Sequence, residues 1–223
     1  MKPLIVALDV ETDKEALQMT RHLVPWVNVF KVGPVLFLRY GGPFLRQLRA
    51  LGADIFLDLK FHDIPSVVRK AVERAGEWGV YSATLHTSGG FEMMRQAASV
   101  SKRPKLWGVT VLTSLDKNDL KRLGIARSVQ AQVNELARQA KKAGLDGVVA
   151  SVREVSGIKK VCGKSFTVVT PGIRPQSGGD DQKRAETPAE ALRQGSDFLV
   201  IGRPIIEAKD PVQAVTKIYK SMR

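Results

Sequence analysis

A chain of 223 residues that is 43% hydrophobic and 26% charged can bury a full core, which excludes intrinsic disorder. It contains no run of about eighteen uninterrupted apolar residues, so no transmembrane helix is expected, and its one cysteine, Cys162, excludes an internal disulfide and fits a reducing compartment. The net charge of +13 raises the question of nucleic acid, but the 35 Lys and Arg residues are spread along predicted helices, as in VVRKAVERAG and LARQAKKAG, instead of clustering with aromatics. The expectation is solvated helix faces and a bias toward anionic ligands, without a nucleic-acid partner.

The first apolar run, LIVALDV (4–10), predicts a strand. An acidic segment follows it where a signal-peptide cleavage site would stand, so a cytoplasmic protein is expected. Thr12 with Glu15 then predicts a capping box opening the first helix. Further strands are predicted at VNVFKVG (27–33), DIFLDLKF (54–61), YSATLHT (81–87) and KLWGVTVLTS (105–114). DGVVASV (146–152), SFTVVTPGI (165–173) and DFLVIGRPI (197–205) complete a set of eight. Segments of helical spacing lie between them. Thr187 with Pro188 and Glu190, and Asp210 with Pro211, mark two later helix starts. Strands that read as apolar runs in alternation with helices indicate a parallel sheet covered by helices. Closure into a (β/α)8 TIM barrel, one domain over residues 1–223, is the simplest arrangement of eight such units; a doubly wound open sheet is the alternative.

In such a barrel the chemistry sits at the C-terminal mouth, so the polar residues at strand ends are the candidates. These are Asp9, Lys31, Asp58, Lys60, Thr113, Ser114, Gly202 and Arg203. Alternation puts Asp58 and Lys60 on one side of their strand, Asp9 on the side of Ile5 and Ala7, and Lys31 on the side of Val29. If those sides face inward, two carboxylates and two ammonium groups meet at the mouth, with Asp63 just beyond. Such a network is either an active site or a neutralising ion-pair lattice that plugs the barrel top. Asp63 also has a bland reading, as a cap for the helix that begins near Pro65. His62 reads as a packing residue, and neither His22 nor His86 has a carboxylate or thiol at metal-ligand spacing. GIKKVCGKS has five residues between Gly157 and Gly163 where a phosphate loop has four, and it precedes a strand, so it is set aside; Cys162 within it reads as part of a turn. A better phosphate site is Gly202-Arg203-Pro204, where a glycine, a forked cation and a helix start coincide. The long polar segment PGIRPQSGGDDQKRAE after the seventh strand is either a lid or a surface loop without a role.

VALDV, FKVG, FLDLKFHDIP, VTVLTS, TPGIRP and VIGRPI, spread over nearly the whole chain, resemble the orotidine 5'-phosphate decarboxylase family, in its bacterial type. DLKFHDIP is the most specific of these, because DxKxxD alone is shared with metal-dependent sugar-phosphate decarboxylases and synthases. Those relatives are expected to carry Glu where this chain has Lys31. The resemblance implies cofactor-free and metal-free decarboxylation of orotidine 5'-phosphate to uridine 5'-phosphate. It implies Lys60 as proton donor to the pyrimidine C6, Asp58 against the substrate carboxylate, and Lys31 and Asp63 completing the array. Asp63 is implied to reach the active site of the other subunit of a homodimer. Asp9 and Lys31 would contact the ribose, Thr113, with Ser114 beside it, the base, and Gln182, Gly202 and Arg203 the phosphate; Arg174 matches a further substrate-binding position. The chain departs from the family at Ser66-Val67, where Asn-Thr is usual, so Val67 cannot supply the hydroxyl contact to the partner's ribose.

Overall fold

In a computed structural model the structure describes residues 2–174 and 186–222. The chain alternates strand and helix throughout. It opens with β1 (Leu4–Ala7), α1 (Asp13–Leu23), β2 (Val29–Val32), α2 (Pro34–Ala50), β3 (Asp54–Phe61) and α3 (Pro65–Glu77). There follow β4 (Ser82–His86), α4 (Phe91–Ala98), β5 (Lys105–Val109), α5 (Lys117–Arg122) and α6 (Val129–Lys142). The last units are β6 (Gly147–Val149), α7 (Val152–Cys162), β7 (Thr167–Thr170), α8 (Pro188–Arg193), β8 (Phe198–Ile201), α9 (Arg203–Ile206) and α10 (Pro211–Ser221). The eight strands are parallel neighbours in sequence order, and β1 pairs with β8 through Leu4↔Leu199, Ile5↔Val200 and Val6↔Ile201. That closure selects the (β/α)8 TIM barrel over the open sheet.

Helix starts follow the local chemistry. Thr12–Glu15 and Thr187–Glu190 both form reciprocal capping boxes, and Asp210 accepts the Gln213 N–H ahead of α10. A third box, Asp116–Asp119, opens α5 just after the run predicted as strand (105–114). The strands are shorter than their apolar runs: β1 stops at Ala7 and β5 at Val109. At β5 the reason is the partner. β6 ends at Val149, and Thr110 turns its hydroxyl and its N–H onto the Val149 carbonyl, which ends the ladder. Cys162 is the last residue of α7 and is buried, not a turn residue; burial raises its thiol pKa.

Two apolar compartments follow from the alternation of strand side chains. Outward residues pack beneath the helices, while Ile5, Ala7, Val29, Phe56, Trp107, Val169 and Val200 fill the barrel interior. Trp107 is the centre of that plug, with its ring 4.7 Å from Phe56, 5.6 Å from Phe198 and 6.1 Å from Tyr81. The plug sits low in the barrel. The next inward positions above Ala7, Val29 and Phe56 are Asp9, Lys31 and Asp58, so charge begins where the apolar filling ends.

At the opposite, N-terminal end two polar clasps repeat. Asp146, just before β6, donates its N–H to the Leu106 carbonyl and accepts the Leu106 N–H on its carboxylate, which also pairs with Arg103. Asp197, just before β8, does the same with Val168, at 2.9 and 2.7 Å, and pairs with Lys159 at 2.6 Å. Lys159 also donates to the carbonyls of Lys164 and Phe166. Each clasp ties the start of an even-numbered strand to its odd-numbered neighbour. Asp197→Ala is expected to destabilise the fold by about 2–3 kcal/mol, because it strips a charge-assisted bond from a largely buried lysine and orphans a strand N–H. That corresponds to a fall in Tm of roughly 4–12 °C in thermal melts, with Asp197→Asn losing less.

Candidate active site

The four charges at the mouth of strands β1 to β3 form a continuous chain. Lys31 Nζ lies 3.0 Å from Asp9 Oδ1 and 3.9 Å from Asp58 Oδ2, and Lys60 Nζ lies 2.9 Å from the same Asp58 oxygen. The side chains of Asp58 and Lys31 each keep only 13% of their exposure, while Lys60 keeps 36% and Asp9 faces solvent. Charges this deep are tolerable because each has an opposite partner, and removing one member would strand the others.

Alternation predicts that Asp58 and Lys60 share a side; they do meet, but by a less regular route. β3 and β4 run in register through Leu57↔Ala83 and resume at Phe61↔Leu85, so Asp58, Leu59 and Lys60 stand against Thr84 alone. Lys60 takes a left-handed backbone (φ 51°), the one non-glycine residue among those described to do so. Thr84 donates its hydroxyl to Asp58 Oδ1 at 2.9 Å and accepts the Lys60 N–H at 2.9 Å. The sequence signals an inward Thr84 through its spacing from Ser82, but nothing in it signals the bulge.

His86 ends β4, and its ring lies 5.3 Å from that of His62. Burial, then the neighbouring His62 and Lys60, hold its pKa below the usual histidine value, so the imidazole is neutral beside the lysine. Asp63 is exposed and accepts the Ile64 N–H at 2.6 Å; Ile64 is the N-cap of α3, so Asp63 does not cap that helix, and among the described residues it forms no ion pair.

Across the mouth, a cleft of about 520 Å³ opens between the ends of β5, β6 and β7. Thr113 and Ser114 line it from the loop after β5, joined by Ser151, Arg153 and Glu154 at the start of α7 and by Pro171 and Gly172. The α7 residues were not legible as candidates, since in sequence they read as an ordinary helix start. Burial raises the Glu154 carboxyl above the usual carboxylate range, against hydrogen bonds with Ser151 that lower it. Ile173 bridges to Glu186, the Arg174 N–H bonds the Glu186 carbonyl at 3.2 Å, and the Glu186 carboxylate pairs with Arg153 at 3.5 Å. Both ends of the long β7–α8 connection are thereby fixed at the cleft; Gln182 lies outside the described residues. Gly202 meets the array just past the end of β8. A Cβ at Gly202 would stand 3.3 Å from the Ala7 Cβ and 3.4 Å from Asp9 Oδ2, so only glycine sits there without displacing its neighbours. The Arg203 side chain is exposed at the start of α9. Among the described residues no group of three or more His, Cys, Asp or Glu side chains is arranged to hold a metal ion, and no helix is long and apolar enough to cross a membrane.

Comparison with known proteins bears on this arrangement. Residues 2–218 match the family model described as Orotidine 5'-phosphate decarboxylase / HUMPS family. A relative from Pseudoalteromonas translucida named orotidine 5'-phosphate decarboxylase is 48% identical, covering 99% of this chain and 97% of its own. One of the same name from Dichelobacter nodosus is 51% identical, covering 99% and 98%. Among solved structures, orotidine 5'-phosphate decarboxylase from Lactobacillus acidophilus superposes with a TM-score of 0.85 at 34% identity over 100% of both chains. An uncharacterized conserved protein from Geobacillus kaustophilus gives 0.87 at 34% identity, over 99% of this chain and 100% of that one. With a full-length profile match, relatives near half identity and the same closed barrel, the chain belongs to the orotidine 5'-phosphate decarboxylase / HUMPS family.

Proposed function

We propose that this chain decarboxylates orotidine 5'-phosphate to uridine 5'-phosphate and CO2, the last step of de novo pyrimidine synthesis, without metal or organic cofactor and as a cytoplasmic homodimer. The observation that carries the reading is the Lys31 ammonium between Asp9 and Asp58, at 3.0 and 3.9 Å. A metal-dependent sugar-phosphate lyase needs those carboxylates to converge on a divalent ion, and here such an ion would meet a like charge. The names of the relatives support the same substrate.

In this mechanism the bond from C6 of the pyrimidine to its carboxylate breaks, CO2 leaves, and the electron pair stays on C6. No carbonyl accepts that pair, so the site must stabilise it electrostatically. Lys60 does so and gives its Nζ proton to C6; the neutral amine then regains a proton from solvent. Asp58, held by Lys60 and Thr84, would face the substrate carboxylate. Two such charges about 4 Å apart at an effective dielectric of about 20 repel by about 4 kcal/mol, worth roughly three decades of rate if fully relieved in the transition state. Asp9 and Lys31 would hold the ribose, Thr113 and Ser114 the base, and Gln182, Gly202 and Arg203 the phosphate, with Arg174 adding a further substrate contact.

The homodimer draws support from apolar side chains at the mouth. Val35 and Leu38 near the start of α2, Ile64 and Val67 around the start of α3, and Phe91 at the start of α4 are all exposed, Leu38 by 83% and Ile64 by 62%. Three successive units thus present apolar groups around Asp63, which is the arrangement expected if a second copy covers this rim and receives Asp63 in its own site. The buried free thiol of Cys162 fits the cytoplasm.

Ultraviolet-monitored turnover of orotidine 5'-phosphate in excess EDTA is the direct test; activity that appears only with a divalent ion and a sugar-phosphate substrate would overturn the reading. Lys60→Ala is expected to lower kcat by on the order of 10⁴-fold or more while uridine 5'-phosphate still binds. Mixing Lys60→Ala with Asp63→Ala, each nearly inactive alone, is expected to restore about a quarter of the sites, since each mixed dimer holds one site with neither lesion. No recovery on mixing would place Asp63 in its own subunit's site.

A further inference from the structure

We propose that Thr84 is a positioning residue for the Asp58–Lys60 pair, its hydroxyl setting both the plane of the carboxylate and the left-handed backbone from which Lys60 projects. The inference rests on the reading of Lys60 as proton donor. Thr84 faces the barrel interior and is fully buried, so no solvent competes for its hydroxyl. A backbone N–H only donates, so the bond from Lys60 N uses a lone pair of Thr84 Oγ1 and commits the hydroxyl hydrogen to Asp58 Oδ1, each at 2.9 Å. The direction of both bonds is therefore fixed.

The bulge makes these bonds necessary. Three residues of β3 stand against Thr84, so the regular ladder is interrupted, and the Lys60 N–H finds its acceptor in a side chain. Thr84 suits this position because a β-branched side chain on a strand has few rotamers, which keeps the hydroxyl in place. Its grip on Asp58 completes the geometry. Oδ1 is held by Thr84 and Oδ2 by Lys60 at 2.9 Å with Lys31 at 3.9 Å, so the carboxylate cannot turn about its last bond without losing a partner. A substrate carboxylate placed against Asp58, and a carbanion placed against Lys60, would both depend on that fixed angle. Other inward hydroxyls do not share the arrangement: two positions earlier on the same strand, Ser82 Oγ is buried with no hydrogen-bond partner among the described residues.

Thr84→Val keeps the shape and removes the hydroxyl. It is expected to lower kcat about 100-fold while KM changes less than about threefold, and Thr84→Ser, which restores the hydroxyl, is expected to return kcat to within about fivefold of the parent. Thr84→Cys, similar in size but a weak donor and acceptor, is expected to follow the Val variant and decides the matter if Thr84→Val does not fold. An unchanged kcat in Thr84→Val, or in Thr84→Cys if the Val variant does not fold, or a loss that falls on KM instead, overturns the proposal. Hydrogen exchange of the Lys60 amide reads the same contact without turnover, with at least about tenfold faster exchange expected in Thr84→Val or Thr84→Cys; unchanged protection overturns it too. Absence of turnover by the parent chain would instead overturn the functional reading, and the exchange result would still decide what Thr84 does.

Discussion

Asp58 puts a negative charge directly above the aromatic plug of the barrel, where its side chain retains 13% of its exposure. An unpaired carboxylate at that depth would protonate or unfold the mouth, so the surrounding structure is organised around supplying it with partners. Lys31 approaches from β2, Lys60 arrives through a bulge in its own strand, and Thr84 reaches it from β4. The same three partners leave the carboxylate oriented and next to an ammonium. Those are also the conditions for repelling a substrate carboxylate and protonating a carbanion. Compensation of a buried charge and construction of the proposed catalytic pair are met by one set of contacts.

The barrel and the charged array were largely legible in the sequence because both follow from spacing. Eight apolar runs in alternation with helical segments dictate a parallel sheet, and alternation along each run carries Asp9, Lys31 and Asp58 inward above Ala7, Val29 and Phe56. What the spacing cannot carry is an interruption of itself. The left-handed Lys60 follows from pairing with β4, a contact between residues distant in sequence, and simple alternation reached the right juxtaposition by the wrong path. Ser151 and Glu154 were missed for a related reason: their place at the cleft depends on where α7 starts relative to β5 and β7. Strand ends were overextended because apolar character continues past the last residue that has a ladder partner, as in VTVLTS after Val109.

The charge distribution has its own logic. Net charge is +13, yet the mouth array pairs two carboxylates with two ammonium groups, and many basic side chains pair along exposed helix faces, as in Arg74–Glu77 and Arg95–Glu92. The excess of positive charge is thus a property of the whole surface more than of the array. A diffuse positive field favours the approach of anionic ligands from any direction.

The two clasps at the N-terminal end divide the barrel into regions with separate tolerances. Asp146 and Asp197 secure β5 to β6 and β7 to β8 with side-chain contacts to backbone, at the end of the barrel away from the array. Substitutions in the mouth loops and at the clasps therefore fall on groups with no shared partners, and their effects on folding combine by simple addition. A barrel fastened at its base in this way can accumulate changes in the residues that select a ligand while its closure is maintained by a different set, which decouples the history of its specificity from that of its stability.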